Sequence, residues 1–474
     1  MKSQKTSTSF YKNSILFCIP LVFLLALKLI GFDGLYGQDS YEYLRYSIAT
    51  QDYITQGTHP GNYFWPVLYP FMGSILSFIF GNVLALQLIS CVSFSITSIF
   101  IFKTIKLLYT KTQYHFFYVL IFTVFCPFLL KMGLIVMSDA LAVMFVVLSF
   151  YFFFKSYYKS TNLTPVFIFT TCALMTRYAS FFITLPIIFY ALYLVYKQRK
   201  YKQFIIAILL SFTTTIPFLI LQWGALFDAT SNYFLKIWSI ANYFKSSYTT
   251  QDGTQYYLFP NIIHTLYLFF HPGFIFIGSI LSIIMLRNYK ILSPFHQKTL
   301  LICSTLYILF IAGIPFQNPR VVGLVFPLIL ILLYPAFIKL MHIKFIKRFI
   351  IIIGVICVGL QLTFWSLTFH SIFSRAIIEK EIATMLKPYQ GRNLYSFDLD
   401  LAMQGRGLDF QYKNMYMKRY KNFITNDLIL FDPLRYKVQW KDKNPMINWE
   451  FIQNNYKLKI VETHPDGWKL YQIE

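Results

Sequence analysis

The stretch "GLYGQDSYEYLRYSIAT", residues 34–50, places two carboxylates, Asp39 and Glu42, directly after the first long apolar run. The stretch is typical of a helix start, and the partial positive charge at a helix N-terminus stabilises an ionised carboxylate there. Residues three apart share a helix face. Carboxylates at membrane depth are costly and usually functional. We therefore predict that Asp39 is functional and that Glu42 assists it, the alternative for Asp39 being a simple N-cap.

The composition indicates what kind of protein must position these groups. The chain has 474 residues, of which 57% are hydrophobic and 13% charged, and its mean hydropathy is +0.54. Its apolar residues come in runs of about 20, the length that a helix needs to cross a bilayer. The net charge of +23 could suggest nucleic acid. The basic residues instead cluster between apolar runs, which is typical of membrane topology, so no nucleic-acid partner is expected.

The apolar runs predict an α-helical polytopic membrane protein. We expect a membrane domain over residues 1–370, with a first outer loop at 32–81 that contains interfacial helices, and an extracytoplasmic domain over 371–474. The first apolar run has no small-residue cleavage site and is read as a retained anchor. About eleven spans are predicted, at 14–31, 82–102, 115–131, 136–154, 164–176, 179–196, 203–222, 262–286, 299–315, 321–338 and 349–370.

The loop charges predict the orientation. With a cytoplasmic N-terminus, the inner segments before residue 371 hold nineteen Lys and Arg residues and the outer loops hold six. Excess positive charge inside fixes this topology, which we assign to the inner (plasma) membrane. All seven acids before residue 371 then fall outside. Asp139, at the mouth of a span in "VMSDALAVMFVV", is a candidate functional acid, whereas Asp228 and Asp252 look like ordinary polar loop residues.

The polar C-terminal region predicts a small α/β domain. "NLYSF" and "DLILF" are typical of short strands, and "LKIVETHPDGWKLYQI" of a hairpin that turns at Asp466 and Gly467. "NPMINWEFIQNNY" is typical of a helix between strands. The region carries an ordinary soluble balance of acids and bases.

Basic residues at the predicted outer helix ends are candidates for binding phosphate. Arg177 lies in "TRYASF" and Arg320 between two prolines in "NPRVVGLVFP". An arginine fork binds oxyanions in a bidentate manner, and the alternative is snorkelling to lipid headgroups. Lys131 would join these arginines in a basic cluster only if the fold brings the three together.

Three further outer residues are candidate substrate contacts. His59 and Trp65 lie in "THPGNYFWPVLYP", and Tyr41 follows Asp39 by two residues. For His59 the alternative is a solvated loop residue. The aromatic side chains could equally be anchors at the membrane interface.

The sequence has no Walker motif, HExxH or GxSxG. The inner loops are short and carry no acids, so we expect any chemistry to take place on the outer face. Nucleotide-activated donors are absent there. A donor must therefore arrive through the membrane, and attachment to a lipid is the route we expect.

The chain resembles the GT-C superfamily of membrane glycosyltransferases, in the branch of the protein O-mannosyltransferases, the lipid A aminoarabinose transferases and the lipopolysaccharide-core transferases. The resemblance rests on "GQDSYEYLRYSIA", "WPVLYPFMGSI", "MSDALAVMF", "MTRYASF" and "NPRVVGLVFP", in this order over residues 14–340. It implies that Asp39 is the catalytic acid, that Asp139 shapes the donor or acceptor pocket, and that Arg320 binds phosphate. Many relatives have two adjacent acids where this chain has Asp39 and Ser40.

The resemblance implies transfer of a sugar from a polyprenyl-phosphate donor to a glycan, lipid or protein acceptor at the outer face, with inversion. We expect no metal and no cofactor, since fixed arginines can neutralise a monophosphate leaving group. The alternatives are another lipid-linked oligosaccharide enzyme, such as a ligase or polymerase, and a transporter. A transporter would show internal repeats, which the sequence lacks.

Overall fold

The structure is a computed structural model, and it describes residues 2–223 and 233–474. Asp228 lies outside the described residues. The chain is mainly helical. Up to residue 386 the α-helices are Lys2–Leu29, Gly37–Gln56, Leu68–Phe80, Asn82–Leu108, His115–Val119, Pro127–Leu134, Asp139–Lys159, Thr164–Thr176, Ser180–Lys197, Tyr201–Gln222, Tyr233–Lys236, Asn261–Thr265, Gly278–Arg287, Phe295–Ala312, Pro319–Gly323, Phe326–Met341, Lys344–Arg348 and Ile350–Leu386.

Several of these helices are long and apolar enough to cross a membrane. Within the described residues there are 7 such helices, or 8 if one bent pair forms a single span, and further apolar helices are shorter. The prediction of an α-helical, multi-pass membrane protein is therefore confirmed. The count of eleven spans is not confirmed and stays a prediction.

The span predicted at 115–131 is bent. A π-helical turn at Leu120–Val124 is followed by a break, and Pro127 begins the next helix at an angle of 65° to the preceding one. Proline has no N–H to donate to the preceding turn, and its ring clashes with the carbonyl four residues earlier, so a helix rarely continues through it. The bend aims the Pro127–Leu134 helix, which carries Lys131, along a new direction.

The span predicted at 262–286 is not one continuous helix. The α-helix Asn261–Thr265 passes into a 3-10 turn at Leu266–Phe269, and helix resumes only at Gly278. Here "HPG" at 271–273 interrupts the helix, and the carbonyl of Gly273 accepts the backbone N–H of Phe128 at 3.0 Å. The two helix breaks therefore meet, and each satisfies a backbone group that the other leaves unpaired.

The segment that precedes Asp139 is fixed by the neighbouring helix. Gln87 and Ser90, both on the helix Asn82–Leu108, donate hydrogen bonds to the carbonyls of Leu134 and Met137 at 2.7 and 3.0 Å. The helices Asn82–Leu108 and Asp139–Lys159 then pack along each other. Buried polar side chains that satisfy backbone groups in this way define one register, so the start of the Asp139 helix is set by contacts as well as by its own sequence.

The chain forms two compact units. One comprises residues 1–34, 46–244 and 261–369, and the other comprises 35–45, 245–260 and 370–474. The start of the helix Gly37–Gln56 is thus grouped with the C-terminal residues. The predicted boundaries at 370 and 371 stay a prediction.

The C-terminal residues form a five-stranded sheet, which confirms the predicted small α/β domain. Its strands are β3 (Asn393–Ser396), β4 (Gln411–Asn414), β5 (Leu428–Phe431), β6 (Leu458–Thr463) and β7 (Lys469–Ile473), in the spatial order β4-β3-β5-β7-β6. The strand β3 is parallel to β4 and β5, whereas β7 is antiparallel to β5 and β6. The helices here are Asp400–Gly405, Pro433–Tyr436 and Asn444–Asn455.

The predicted strands and the predicted hairpin are present in this sheet. The predicted helix is present as Asn444–Asn455. Gly467 has φ +96°, a left-handed conformation that glycine adopts without strain, and it lies in the tight turn between β6 and β7. The sequence did not predict a second hairpin in the same unit, formed by β1 (Ser247–Thr250) and β2 (Gly253–Tyr256). The N–H of Thr254 donates to the carbonyl of Gln439 at 2.7 Å, which attaches this hairpin to the C-terminal residues.

Candidate active site

Asp139 is the buried anion of the first compact unit. It is the first residue of the helix Asp139–Lys159, where the helix dipole favours negative charge. Its side chain is only 2% exposed. Removing a carboxylate from water is costly unless opposite charges and hydrogen bonds replace its hydration.

Two arginines provide that compensation. Arg177 ends the helix Thr164–Thr176 and donates through Nη1 to Oδ1 of Asp139. Arg320 donates through Nε to Oδ2 at 3.0 Å, and its Nη2 lies 2.9 Å from the same oxygen. The structure thus brings together three residues that the sequence singled out separately, and we refer to Asp139, Arg177 and Arg320 as the arginine cluster.

Arg320 itself is held by a helix cap. Asn318 is the N-cap of the helix Pro319–Gly323, and its Oδ1 accepts the backbone N–H of Arg320 at 3.0 Å. Asparagine is a preferred N-cap residue, and proline suits the first helical position. "NPR" therefore encodes the local geometry that aims the arginine, and the sequence analysis did not recognise this role of Asn318.

The two guanidinium groups of the arginine cluster are more accessible than its carboxylate. Their side chains are 21% and 19% exposed, whereas the side chain of Asp139 is 2% exposed. Asp139 thus orients two guanidinium groups at partly accessible positions. Their planar forks suit an oxyanion ligand such as a phosphate.

Lys131 lies on an element that contacts this cluster. Its helix, Pro127–Leu134, packs against Pro319–Gly323, where a side chain at Gly323 would collide with Met132. The ammonium group lies 5.3 Å from the centroid of the Phe128 ring. The neighbouring helices therefore add a third cation to this part of the unit, and its predicted role in phosphate binding stays a prediction.

Asp39 belongs to the second compact unit. It lies in the first turn of the helix Gly37–Gln56, as the sequence predicts, and we call this element the Asp39 helix. Glu42 forms a two-pronged ion pair with Arg45, with both N–O distances at 2.6 Å. Because both Glu42 oxygens are engaged in this pair, the structure gives less support to the predicted helper role of Glu42.

A different acid shares the environment of Asp39. Asp252, at the turn of the β1–β2 hairpin, is exposed, but the protein around it removes part of its hydration and so raises the pKa of its carboxyl. The negative charge of Asp39 raises this pKa further. The sequence analysis read Asp252 as an ordinary loop residue. Only the hairpin, which forms through contacts with distant residues, reveals its relation to Asp39.

The three predicted substrate contacts differ in accessibility. His59 is exposed, and its Nδ1 accepts the backbone N–H of Gly61 at 3.1 Å. Trp65 is half-buried and packs edge-to-face against Tyr63. Tyr41 is only 1% exposed and donates to Glu379 at 2.8 Å. The burial of Tyr41 argues against both readings from sequence, a substrate contact and an interface anchor.

Comparison with known proteins shows which family model and which solved structures the chain resembles. A family model described as dolichyl-phosphate-mannose-protein mannosyltransferase matches residues 65–223, about a third of the chain. No curated protein sequence matches the chain. Two solved structures of ArnT from Cupriavidus metallidurans, in the apo state and bound to undecaprenyl phosphate, match with TM-scores of 0.60 and 0.62. Each is 11% identical, and the match covers 95% of this chain and 97% of ArnT.

The family match and the fold confirm the predicted resemblance to the GT-C superfamily, and with it the prediction that the chain is a membrane glycosyltransferase. Within that class the chain has the fold of ArnT over nearly its whole length. At 11% identity this likeness concerns the fold alone, so the roles of individual residues stay predictions.

Proposed function

We propose that the chain transfers a sugar from a polyprenyl-phosphate donor to an acceptor on the outer face of the inner membrane, with its N-terminus cytoplasmic. The observation that carries the proposal is the pair of partly accessible guanidinium groups that the buried Asp139 carboxylate orients, an arrangement that suits the phosphate of such a donor. The ArnT structure bound to undecaprenyl phosphate, a lipid monophosphate, supports the same class of donor.

The proposed reaction inverts the sugar. The oxygen of an acceptor hydroxyl attacks the anomeric carbon while the bond from that carbon to the phosphate oxygen breaks. The electron pair of the broken bond leaves with the polyprenyl phosphate, and Arg320, with Arg177 and Lys131, neutralises the leaving charge. Asp39 takes the hydroxyl proton as general base. The acceptor is a glycolipid or lipopolysaccharide, a polysaccharide or a protein.

The decisive experiment combines the purified protein with polyprenyl-phosphate sugars and with envelope extract from a deletion strain. Release of polyprenyl phosphate that requires the extract, together with one new mass difference in a glycolipid, glycan or protein fraction, would support the proposal and name the sugar and acceptor. The same mass must be missing from that fraction in the deletion strain. If no lipid-linked sugar is consumed although the parental extract carries the modification, the proposal is wrong.

We expect chelation to leave the transfer rate unchanged. The leaving group is a monophosphate, and fixed guanidinium groups supply the charge that a metal ion would otherwise provide. The measurement is the initial rate before and after treatment with EDTA. Loss of activity that manganese restores would contradict the prediction.

The titration of Asp252 should reveal its coupling to Asp39. The negative charge of Asp39 helps to raise the pKa of the Asp252 carboxyl. Replacing Asp39 with asparagine removes that charge, so the pKa of Asp252 should fall towards its ordinary value. The measurement is the titration of the Asp252 carboxyl by NMR, assigned with Asp252→Asn. Asp52→Asn, near the far end of the Asp39 helix, is the control and should leave this pKa unchanged. A pKa of Asp252 that does not fall in Asp39→Asn contradicts the coupling.

A further inference from the structure

The start of the Asp39 helix is held by residues from near the C-terminus. The hydroxyl of Tyr41 donates to Oε2 of Glu379 at 2.8 Å, although the two residues are 338 positions apart in sequence. Tyr41 is 1% exposed and Glu379 is 0% exposed. A hydrogen bond from a neutral donor to a buried carboxylate is among the stronger ones in proteins.

Glu379 is in turn fixed by a network of ion pairs and hydrogen bonds. Arg375 donates through Nε to Oε1 of Glu379 at 2.8 Å, and its Nη2 lies 3.1 Å from Oδ2 of Asp398. The hydroxyl of Tyr436 donates to the same oxygen of Asp398 at 2.8 Å. The Glu379 carboxylate therefore has a defined position, which a single partner on the surface could not give it.

The ring of Tyr41 is enclosed as well. The guanidinium of Arg406 lies 5.5 Å from the ring centroid, and its Nη2 lies 3.9 Å from Glu379. On the adjoining helix, Gly405 approaches so closely that a Cβ there would lie 2.6 Å from Cδ1 of Tyr41. The ring has little room to move because both its hydroxyl and its edge are in contact with these groups.

Helical geometry connects this anchor to Asp39. Each residue of an α-helix turns by about 100°, so residues two apart point in nearly opposite directions. With Tyr41 held against Glu379, Asp39 points away from that contact. Rotation or fraying of the first turn would change the direction of Asp39, and first turns fray readily because their N–H groups have no partner within the helix.

We propose that Tyr41 and Glu379 are positioning residues, whose buried hydrogen bond fixes the first turn of the Asp39 helix and thereby the direction of the Asp39 carboxylate. This inference rests on the proposed function for its catalytic consequence. Its structural part, the anchoring of the first turn, is independent of that function. The C-terminal residues then act in the reaction through the position of Asp39.

The structural part is tested by hydrogen–deuterium exchange of the full-length protein in detergent. In Tyr41→Phe, peptides covering residues 38–48 should exchange about tenfold faster than in the wild type, since the charge-assisted hydrogen bond is lost. The matched control is Tyr389→Phe. Tyr389 also donates to a glutamate, Glu462 at 3.1 Å, but that pair is exposed and does not touch the Asp39 helix. Tyr389→Phe should leave the exchange of the peptides covering residues 38–48 unchanged.

The catalytic part is tested by a comparison of kcat with KM. Tyr41 is proposed to act on the direction of the Asp39 carboxylate and not on donor binding. Tyr41→Phe should therefore lower kcat by about tenfold or more and leave the donor KM within about twofold of the wild-type value. Gly405→Ala is a second and milder variant, because its methyl group presses on the Tyr41 ring and alanine favours a helix. Its control is Gly359→Ala, at an exposed helical position with nothing within 4 Å.

The outcomes separate this inference from the proposed function. If the wild type consumes no lipid-linked sugar, the proposed function is wrong, and exchange alone decides the anchoring. If the wild type is active and Asp39→Asn is not, but kcat in Tyr41→Phe and Gly405→Ala equals that of their controls, the positioning role is overturned. Unchanged exchange in both variants also overturns it. If Tyr41→Phe does not yield folded protein, Gly405→Ala decides both parts.

Discussion

Replacement of Asp39 with asparagine should lower kcat by about 10²–10⁴-fold, the contribution typical of a general base. Asparagine has nearly the same shape and can still accept a hydrogen bond in the first helical turn, so the fold should be retained. The measurement is the rate of polyprenyl phosphate release by purified protein at saturating donor. The loss should appear in kcat, with little change in donor KM, because the carboxylate acts on the acceptor proton.

Asp52→Asn is the matched control for this variant. Asp52 is an acid on the same helix, about three turns after Asp39, and its replacement tests whether any loss of negative charge from this helix slows transfer. It should retain the wild-type kcat. Full activity in Asp39→Asn would exclude the base role. The conservative variant Asp39→Glu should recover part of the rate, since it restores a carboxylate at a slightly displaced position.

The size of the decrease in kcat in Asp39→Asn also indicates the chemical class of the acceptor. A hydroxyl acceptor must lose a proton, and that is where a base contributes. An acceptor that is itself a phosphate needs no base, and Asp39 would then only orient it. In that case Asp39→Asn should have a much smaller effect on kcat. The same variant thus distinguishes two chemical classes of acceptor.

Replacement of Arg320 with alanine should raise the donor KM by about 10- to 100-fold, the range expected for loss of a hydrogen bond to a charged group. Arg320→Lys keeps the charge but loses the planar fork, so it should recover only part of the affinity. Arg287→Ala, an exposed arginine in the last turn of the helix Gly278–Arg287, is the control and should leave KM unchanged. An unchanged donor KM in Arg320→Ala would argue against phosphate binding.

A double-mutant cycle can distinguish orientation of the arginines by Asp139 from a direct action of Asp139 on substrate. Both of its oxygens accept bonds from Arg177 and Arg320, so we expect Asp139 to act by orienting these arginines. Asp139→Asn should then raise the donor KM in the wild type and have a smaller effect when Arg320 is already alanine. A coupling of about 0.5–3 kcal/mol is the usual range for residues in contact. Additive effects would indicate that Asp139 acts directly on substrate.

Much of the fold could be predicted from the sequence, because the signals are local. Apolar runs report burial in lipid whatever their neighbours are. The turn at Gly467 and the two strands that it joins are encoded within a few residues. The two helix breaks are harder to predict from the sequence. Proline at 127 marks the first break, but the second was read as continuous helix since its residues are apolar, and it is stabilised by a carbonyl that meets Phe128 from the other break.

The candidate site could be predicted only as a set of separate residues. Asp39, Asp139, Arg177 and Arg320 were each identified by type and by position at a helix end. Nothing in the sequence pairs Arg177 and Arg320 with Asp139, since they lie 38 and 181 residues from it. A helix that is apolar on all sides has no distinct apolar face, so its packing neighbours cannot be predicted from its sequence. Asp252 was read as an ordinary loop residue, because its relation to Asp39 depends on the β1–β2 hairpin and cannot be seen in the sequence.

Local signals in the chain were sufficient to establish the class of protein, the side of the membrane on which the acids are expected, and the placement of Asp39 in a first helical turn. These features depend on hydrophobicity, charge and helix-start residues, which act over a few positions. Only the tertiary packing shows that one buried carboxylate binds two arginines and that Tyr41 donates a hydrogen bond to Glu379. Only the packing shows that the charge of Asp39 raises the pKa of Asp252. These are contacts between distant segments, and their formation depends on how the whole chain packs.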